Sequence, residues 1–483
     1  MTPPQRNAAE RPIGVLLAPD ILALLDDAPG SVATETEEMH PADLADVAEA
    51  IPPDRVADLL RALPATRAAD VLEYLDEELR AEVLEAMSSV QAARLVTEMT
   101  PDDRADVLDE LEEETAEDIL AEIPAETRRE TQRLRAYEPD TAGGLMTTEY
   151  VSVPETLTVD AALAGVRAAA RTGRREAMYA VYVTDEGGRL RGVLSLRELL
   201  AAPDGARITD VAWTEVVSVP ASADREEVAR LTTNYALVAI PVVEADGRLV
   251  GVVTADDVIE AIQEEQTEDV QKLGGVEALD EPYMQISFAG MLRKRAGWLS
   301  ILMVSEMLTT TVLQHYDNEL KTAFVLSLFV PLVMSSGGNS GSQATSLVTR
   351  AMALGEVRLG DWWRVALREL PSGMALGAIL GVIGVARILL WQNMWDSGTT
   401  LFGVRLGYSY GNYPGHVAAT VGLALIGIVT FGSLTGSMLP FVLKRLGFDP
   451  ASASAPFVAT LVDMTGLTIY FAVAFLVLHG TLL

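Results

Sequence analysis

Asp463 lies eight positions after Ala455 in an apolar run, Ala455 to Leu478, of the length a bilayer needs. At the usual helical rise that is roughly 12 Å into the span. A carboxylate so deep is costly unless it is hydrated, paired or facing a cation. Its neighbours Ala459, Thr460, Thr465 and Gly466 are small or hydroxylated, and no Lys or Arg lies mid-span to pair with it. The setting points to an aqueous cation pathway rather than to an acid neutralised in place. A second intramembrane acid, Glu306, either caps an outer vestibule or hydrogen-bonds Thr309 and Thr310.

Further oxygen ligands fall at the end of another apolar run. Pro331-Leu332-Val333-Met334-Ser335-Ser336-Gly337-Gly338-Asn339-Ser340-Gly341-Ser342-Gln343 is too rich in Gly and short polar side chains for a lipid-facing helix. Irregular backbone at membrane depth survives only where protein or water satisfies it. The expectation is a helix break whose carbonyls, hydroxyls and Asn339 amide suit Mg²⁺ or its water shell. A plain loop at the membrane surface is the alternative.

A third set of acids precedes the apolar half. Asp102, Asp103 and Asp106 cluster, and Asp256, Asp257, Glu260, Glu264, Glu265, Glu268 and Asp269 follow one another toward the first span. At helical spacing many share a face and repel. Divalent cations bridging them to a neighbour would relieve that repulsion; ordinary solvation is the other reading residue by residue.

The elements that must carry these residues are legible from charge and periodicity. The chain has 483 residues and a net charge of −33, unevenly spread: Met1 to Gly290 holds 24 Lys and Arg against 60 Asp and Glu, the remainder 12 against 9. So acidic a soluble half argues against a nucleic-acid partner, because phosphate contacts need clustered Lys and Arg. With no cysteine and four scattered histidines, thiolate chemistry, disulfides and an H-E-x-x-H metal site are excluded. No apolar signal-peptide core opens the chain.

From His40 to about Glu130 a pattern returns every twelve residues, as in Asp58-Leu59-Leu60, Asp70-Val71-Leu72, Glu82-Val83-Leu84 and Asp106-Val107-Leu108. Each unit is about two helical turns with one apolar stripe, too short to stand alone. Stacked, such units form an α-helical solenoid. Residues 1–39 are read as a flexible extension. Next, Val151-Ser152-Val153-Pro154 returns as Val217-Ser218-Val219-Pro220, and Gly188-Arg189-Leu190-Arg191-Gly192-Val193 as Gly247-Arg248-Leu249-Val250-Gly251-Val252. The order of helices and strands between these marks resembles a tandem pair of CBS domains, an α/β module that commonly binds adenine nucleotides; Tyr179, Arg197 and Glu198 occupy plausible nucleotide-facing positions.

Five apolar spans follow: Gly297 to Gln314, Leu320 to about Met334, Val365 to Leu390, Val417 to Val442 and Ala455 to Leu478. Arg293, Lys294, Arg295, Arg350, Arg358, Arg364, Arg368, Lys444 and Arg445 flank them on one side. Lys321, Arg405 and Arg387 lie on the other. The positive-inside rule then makes the solenoid and CBS pair cytoplasmic and the C-terminus external. The fold class is multidomain: solenoid 40–139, CBS pair 140–262, connecting helix 263–292 and an all-α transmembrane domain 293–483.

Gly337-Gly338-Asn339 with Gln343, Leu439-Pro440-Phe441 with Arg445-Leu446-Gly447 and Asp449-Pro450, Ala459-Thr460 with Asp463 and Thr465-Gly466, and Asp140-Thr141-Ala142-Gly143-Gly144-Leu145-Met146-Thr147 together resemble the MgtE family of magnesium channels. The resemblance runs from His40 to the C-terminus. It implies a homodimer in the cell (inner) membrane, with a pore between subunits and ATP as a possible regulatory ligand. It implies a pore site for hydrated Mg²⁺ at Asp463 with Asn339, Ala459 and Thr460. It further implies regulatory Mg²⁺ sites at Asp102, Asp106, Glu226, Asp257, Glu260, Glu265, Glu268, Asp269 and Asp449. The chain departs from the family pattern at Ala236, where a metal-binding Asp is expected, at Glu260, where Asp is typical, and at Glu198, which replaces an Asp associated with ATP. The function implied is Mg²⁺ uptake under negative feedback from cytoplasmic Mg²⁺. The rivals are transport of Co²⁺ or Mn²⁺, and Na⁺-coupled exchange. No Walker motif is present and no catalytic constellation is expected.

Overall fold

The computed structural model describes residues 12–171, 180–279, 283–284, 286–402 and 404–482. The chain divides into two compact units, Met1–Glu265 and Gln266–Leu483.

The first unit opens with α1 (Pro12–Asp27) and a short α2 (Val32–Glu35). The extension expected to be flexible therefore carries structure. Ala18, Ile21 and Leu25 of α1 are buried in the solenoid core, and the α1 backbone runs so close to α3 (Pro41–Ala50) that a Cβ on Gly14 would lie 2.4 Å from the Asp46 carbonyl oxygen. An apolar stripe at helical spacing gives α1 a face to bury, and it closes an otherwise open end of the stack.

The twelve-residue beat becomes helices of nine or ten residues: α3, α4 (Pro53–Ala62), α5 (Ala65–Glu73), α6 (Glu77–Glu85), α7 (Ser89–Glu98), α8 (Pro101–Glu110), α9 (Glu113–Glu122) and α10 (Ala125–Leu134). Proline at the first helical position of α3, α4 and α8 fixes φ where no N–H partner is needed, and Ser88 with Gln91 forms a capping box on α7. Each helix packs on the next but one, which builds two rows around one apolar core. Arginines tie the rows at helix ends. Arg80 donates to the Glu73 carbonyl, Arg104 to those of Val96 and Met99, and Arg128 to that of Ile123, satisfying C-terminal carbonyls that have no intrahelical partner. These three arginines recur at every second unit of the repeat.

The CBS pair follows. In the first copy β1 (Val151–Pro154) leads through α11 (Val159–Arg171) to β2 (Ala180–Thr184) and β3 (Leu190–Ser195), then α12 (Leu196–Ala201) and α13 (Ile208–Val211). The second has β4 (Val219–Pro220), α14 (Arg225–Tyr235), β5 (Ala239–Val243) and β6 (Leu249–Thr254). Both sheets have a parallel then an antiparallel pairing, with the same register shift near the end of the middle strand. The Asp140–Thr147 run threads into the second copy: Ala142 and Gly143 donate to the carbonyls of Ala223 and Ala221, and Met146 is buried against Gly251. The acidic helix α15 (Ala255–Leu273) continues from β6 across the boundary between the units. It stops at Gly274-Gly275, well short of the 263–292 helix expected. Gly275 has φ +73°, and a Cβ there would meet the Trp298 indole at 2.7 Å.

Among its described residues the second unit contains five helices long and apolar enough to cross a membrane. They are α16 (Phe288–His315); α18 (Val330–Ala353), preceded by a short α17 (Asp317–Thr322) and a 3₁₀ segment at Phe324–Phe329; α19 (Trp362–Asp396); α20 (Pro414–Arg445); and α21 (Ala455–Leu478). A small hairpin, β7 (Thr400–Leu401) and β8 (Val404–Arg405), joins α19 to α20.

The second span corrects the sequence reading. Gly337-Gly338-Asn339 does not break the helix; α18 runs unbroken through it, and the span is Phe324–Ala353, not Leu320 to Met334. The glycines serve close approach instead. A Cβ on Gly432 would lie 2.4 Å from the Gly337 carbonyl oxygen, and one on Gly436 2.1 Å from that of Gly341. Gly337 with Gly341, and Gly432 with Gly436, are thus facing small-xxx-small pairs that let α18 and α20 touch backbone to backbone. Thr345 and the Ser340–Ser433 pair add hydrogen bonds across the seam at 2.9 and 2.7 Å. The irregular backbone comes earlier, at the 3₁₀ segment, where the buried Tyr470 hydroxyl donates to the Leu326 carbonyl at 3.0 Å.

Candidate metal sites

In the first unit, the helical period puts Asp102 and Asp106 on one face of α8 and Asp257, Glu260 and Glu264 on one face of α15. The fold turns both faces into one cleft of about 200 Å³, lined by these five and by Glu77, Asp103, Glu110, Asp140 and Arg225. Asp102 is buried; Asp257 and Glu260 are half-buried. Thr254 donates to Asp257 through its backbone N–H at 3.3 Å and through its hydroxyl, and Thr100 donates to Asp103 at 2.6 Å.

Crowding sets the protonation of this cleft. Asp106 keeps an exposed edge on α8, yet loss of bulk water at its carboxyl, with the charges of Asp103 and Glu110, pushes it up to about 7 against the pull of Arg80. Loss of water also lifts Asp257 to about 7; the Thr254 hydrogen bonds oppose this, and the charges of Asp256 and Asp103 add to it. Glu73, beside Asp103 and Asp70, rises to about 8, first through burial. Carboxylates that resist ionisation on their own are neutralised by a proton or by a cation. Among the described residues no three of them close to the spacing of a preformed ligand cage. A Mg²⁺ ion in this cleft would therefore keep much of its water shell, in line with its reluctance to dehydrate.

Sequence spacing reached Asp102, Asp103, Asp106 and, of the α15 acids, Asp257, Glu260 and Glu264; it missed Glu77, Glu110, Asp140 and Arg225 as cleft residues. Glu77, Asp140 and Arg225 come from three different elements, so no local period connects them; Glu110 does continue the i, i+4 run of Asp102 and Asp106 along α8. Glu110 is held by Arg80, which is fully buried and donates to both carboxylate oxygens. The regular return of Arg80, Arg104 and Arg128 was the available signal that these arginines point inward.

Other expected ligands fall elsewhere. Glu265 accepts from Arg225 at 2.9 Å. Glu226 is exposed at the start of α14 and does not line the cleft. Ala236 ends α14 in the left-handed region, φ 50°, and its methyl offers no ligand. In the second unit, Glu268 and Asp449 are brought together around Lys272, whose ammonium lies 2.5 and 2.7 Å from them. Burial would lower Lys272, but the two carboxylates raise it overall. Asp269, next along α15, is half-buried.

Asp463 is half-buried on α21 and, among the described residues, has no ion-pair partner. Ala459 lies one turn earlier on the same face, and a Cβ on Gly338 would lie 3.1 Å from its methyl, so the glycine pair seats α18 directly on this face. Asn339 is exposed beside that contact, its amide 3.3 Å from Ser335. Thr460 bonds the Pro456 carbonyl at 3.0 Å. Glu306 lies within electrostatic range of Asp463.

Comparison with known proteins agrees with this domain order. The MgtE intracellular N domain matches residues 39–140, the CBS domain 142–205 and 208–264, and the MgtE divalent cation transporter domain 330–473. The chain is 42% identical over 353 residues to the magnesium transporter MgtE of Thermus thermophilus, covering 73% of each chain. The chain belongs to the MgtE family. The magnesium transporter MgtE of Enterococcus faecalis is 33% identical over 345 residues, 71% of each chain. A solved cytosolic domain of the Mg²⁺ channel MgtE in complex with ATP is 37% identical and covers 51% of this chain and 99% of that one, with a TM-score of 0.48. Of the nucleotide positions read on the CBS resemblance, Tyr179 lies outside the described residues. Arg197 stands in the first turn of α12. Glu198 caps that helix, accepting from the Ser195 N–H at 2.8 Å and from the Trp213 indole at 2.7 Å; these bonds hold it below the usual carboxylate range.

Proposed function

We propose that this chain is a Mg²⁺ channel for uptake, closed by negative feedback when Mg²⁺ fills the acidic cleft. The observation that carries the reading is Asp463: a half-buried carboxylate in a membrane-length apolar helix, without an ion pair among the described residues, on the face where glycine contact brings α18 against α21. Such a group is retained where it meets a hydrated cation. Its single negative charge and the neighbouring amide and hydroxyl oxygens suit an ion that passes with its waters rather than one stripped by a cage. The pore forms between two copies of the chain in the cell membrane, with the solenoid and CBS pair cytoplasmic and the C-terminus outside.

The cleft supplies the gate's sensor. Without Mg²⁺ its carboxylates repel and favour an opened arrangement of the solenoid and α15; with Mg²⁺ between Asp102, Asp106, Asp257 and Glu260 the closed arrangement gains. The ion thereby biases two states through its differential affinity. The helix that carries Asp257 and Glu260 continues to Lys272, which is tied to Asp449 between α20 and α21, so that α15 can convey the bias to the membrane helices. ATP binding at the CBS pair is a further regulatory input of this proposal.

Liposomes holding the full chain test the reading. Under an inward gradient Mg²⁺ uptake is expected without a Na⁺ gradient, and is expected to be lost in Asp463→Ala. Wild-type flux in that variant would sink the pore assignment. Parallel gradients of Mn²⁺, Co²⁺ and Ca²⁺ rank selectivity, and uptake strictly dependent on Na⁺ would replace the channel by an exchanger.

A further inference from the structure

Among the described residues lining the acidic cleft, Arg225 is the only base. Its guanidinium reaches Asp140 at 2.9 Å, Glu264 at 3.1 Å and Glu265 at 2.9 Å, and its side chain is only 14% exposed. Its own N–H donates to the Asp140 carbonyl at 3.0 Å, so backbone and side chain clamp the same linker residue. The three carboxylates come from two separate elements, the linker after the solenoid and α15. A guanidinium keeps its charge at any physiological pH and presents several donors in a fixed plane, which suits it to hold several carboxylates at once. The cleft is thus divided. The Asp140–Glu264–Glu265 corner is held by Arg225, whereas on the solenoid side Asp106 lies in the field of Arg80 and Asp102 in that of Arg104.

We propose, resting on the reading of the cleft as the Mg²⁺ sensor, that Arg225 is a tethered cation occupying one corner of that sensor in place of a Mg²⁺ ion. Arg225 is a positioning residue: it joins α15 to the linker whatever the Mg²⁺ concentration, and it leaves only the solenoid-facing carboxylates to respond to the ion. Glu265, which the family resemblance made a metal ligand, is then a partner of Arg225 and binds no Mg²⁺. Ala236, where the family pattern has a metal-binding Asp, fits the same reduction in regulatory sites. With Arg225 removed, three carboxylates would face one another with no counter-charge, which is the arrangement that recruits a divalent ion.

The test uses the full chain in detergent and MgCl₂ as the probe, with bound Mg²⁺ counted by equilibrium dialysis and closure followed by protection of the chain from limited proteolysis. Arg225→Gln is expected to bind an additional Mg²⁺ per chain and to reach half-protection at a Mg²⁺ concentration lower by about threefold, a modest coupling energy. Arg225→Lys is expected to stay near wild type. Glu265→Gln, with Arg225 intact, is expected to bind as many Mg²⁺ ions as wild type. The proposal is overturned if Arg225→Gln binds no additional ion, or if Glu265→Gln loses one; the second variant decides the matter should the first not fold. A wild-type chain that gains no protection with Mg²⁺ would sink the sensor reading and this proposal with it, whereas a protected wild type with an unchanged Arg225→Gln would sink this proposal alone.

Discussion

The acidic cleft and the Asp463 seam put carboxylates to opposite uses. The cleft gathers nine acids around one base, and most of its members gain a neighbour only because the solenoid, linker and α15 fold together. The seam holds one acid among small and hydroxylated side chains on a membrane-length helix, approached by α18 through its Gly338. Many crowded acids make a site that titrates and reorganises, suited to sensing. A single acid on a tightly packed helix pair makes a site that stays in place, suited to conduction. On the proposed function, the difference teaches that charge density governs when the protein responds, while packing governs what can pass.

The largest effect that separates the two regions is on flux. Asp463→Ala should lower Mg²⁺ uptake by about a hundredfold, equivalent to about 3 kcal/mol, in reconstituted liposomes, with the cleft's Mg²⁺ protection unchanged. If protection vanished as well, the two sites would not be separable.

Next comes the seam's packing. Gly436→Leu, forced against the Gly341 carbonyl, should destabilise the membrane unit by about 3 kcal/mol, seen as a lower thermal midpoint in detergent. Gly427→Leu is the control: a Cβ there meets only the Ile469 side chain, at 3.1 Å, so a smaller loss is expected. Equal losses would remove the close-approach role assigned to the Gly341–Gly436 contact.

The sensor variant should spare flux. Asp102→Asn with Asp106→Asn and Asp257→Asn should leave uptake at low Mg²⁺ intact and raise the Mg²⁺ needed for closure by about tenfold, since each lost carboxylate weakens a shared ion. An unchanged closure curve would take the sensor role from the cleft.

The smallest effect is on pH. Asp106 and Asp257 sit near 7 in the folded chain, above the ordinary carboxylate range. Without Mg²⁺ their protonated forms therefore favour the folded cleft; that contribution is complete below about pH 4 and is lost as pH rises through about 7. With Mg²⁺ the sign reverses, because the ion needs both groups ionised. Half-protection by Mg²⁺ should require more ion at pH 6 than at pH 8, while the Asn variants lose that dependence. A flat profile in the wild-type chain would show that other groups bind the ion.

Much of this molecule was legible before any coordinates. The apolar beat set the solenoid, because each helix of nine or ten residues carries its own stripe and repeats it twelve residues later. Five runs of bilayer length set the spans, and Asp463 stood out against its own neighbours. Those are short-range signals, written within a few turns of chain. Glu77, Asp140 and Arg225 carried no such mark, since what defines them is the company of residues far away in sequence. The Gly337-Gly338 run shows the same limit. Its composition favoured a broken backbone, yet the facing Gly432 and Gly436 turn that composition into a contact between unbroken helices. Sequence determined which segments form helices and which side chains bear charge. Tertiary structure alone decided which charges share a cleft and which glycines meet, because electrostatic environment and interhelical distance are sums over neighbours that no local pattern contains.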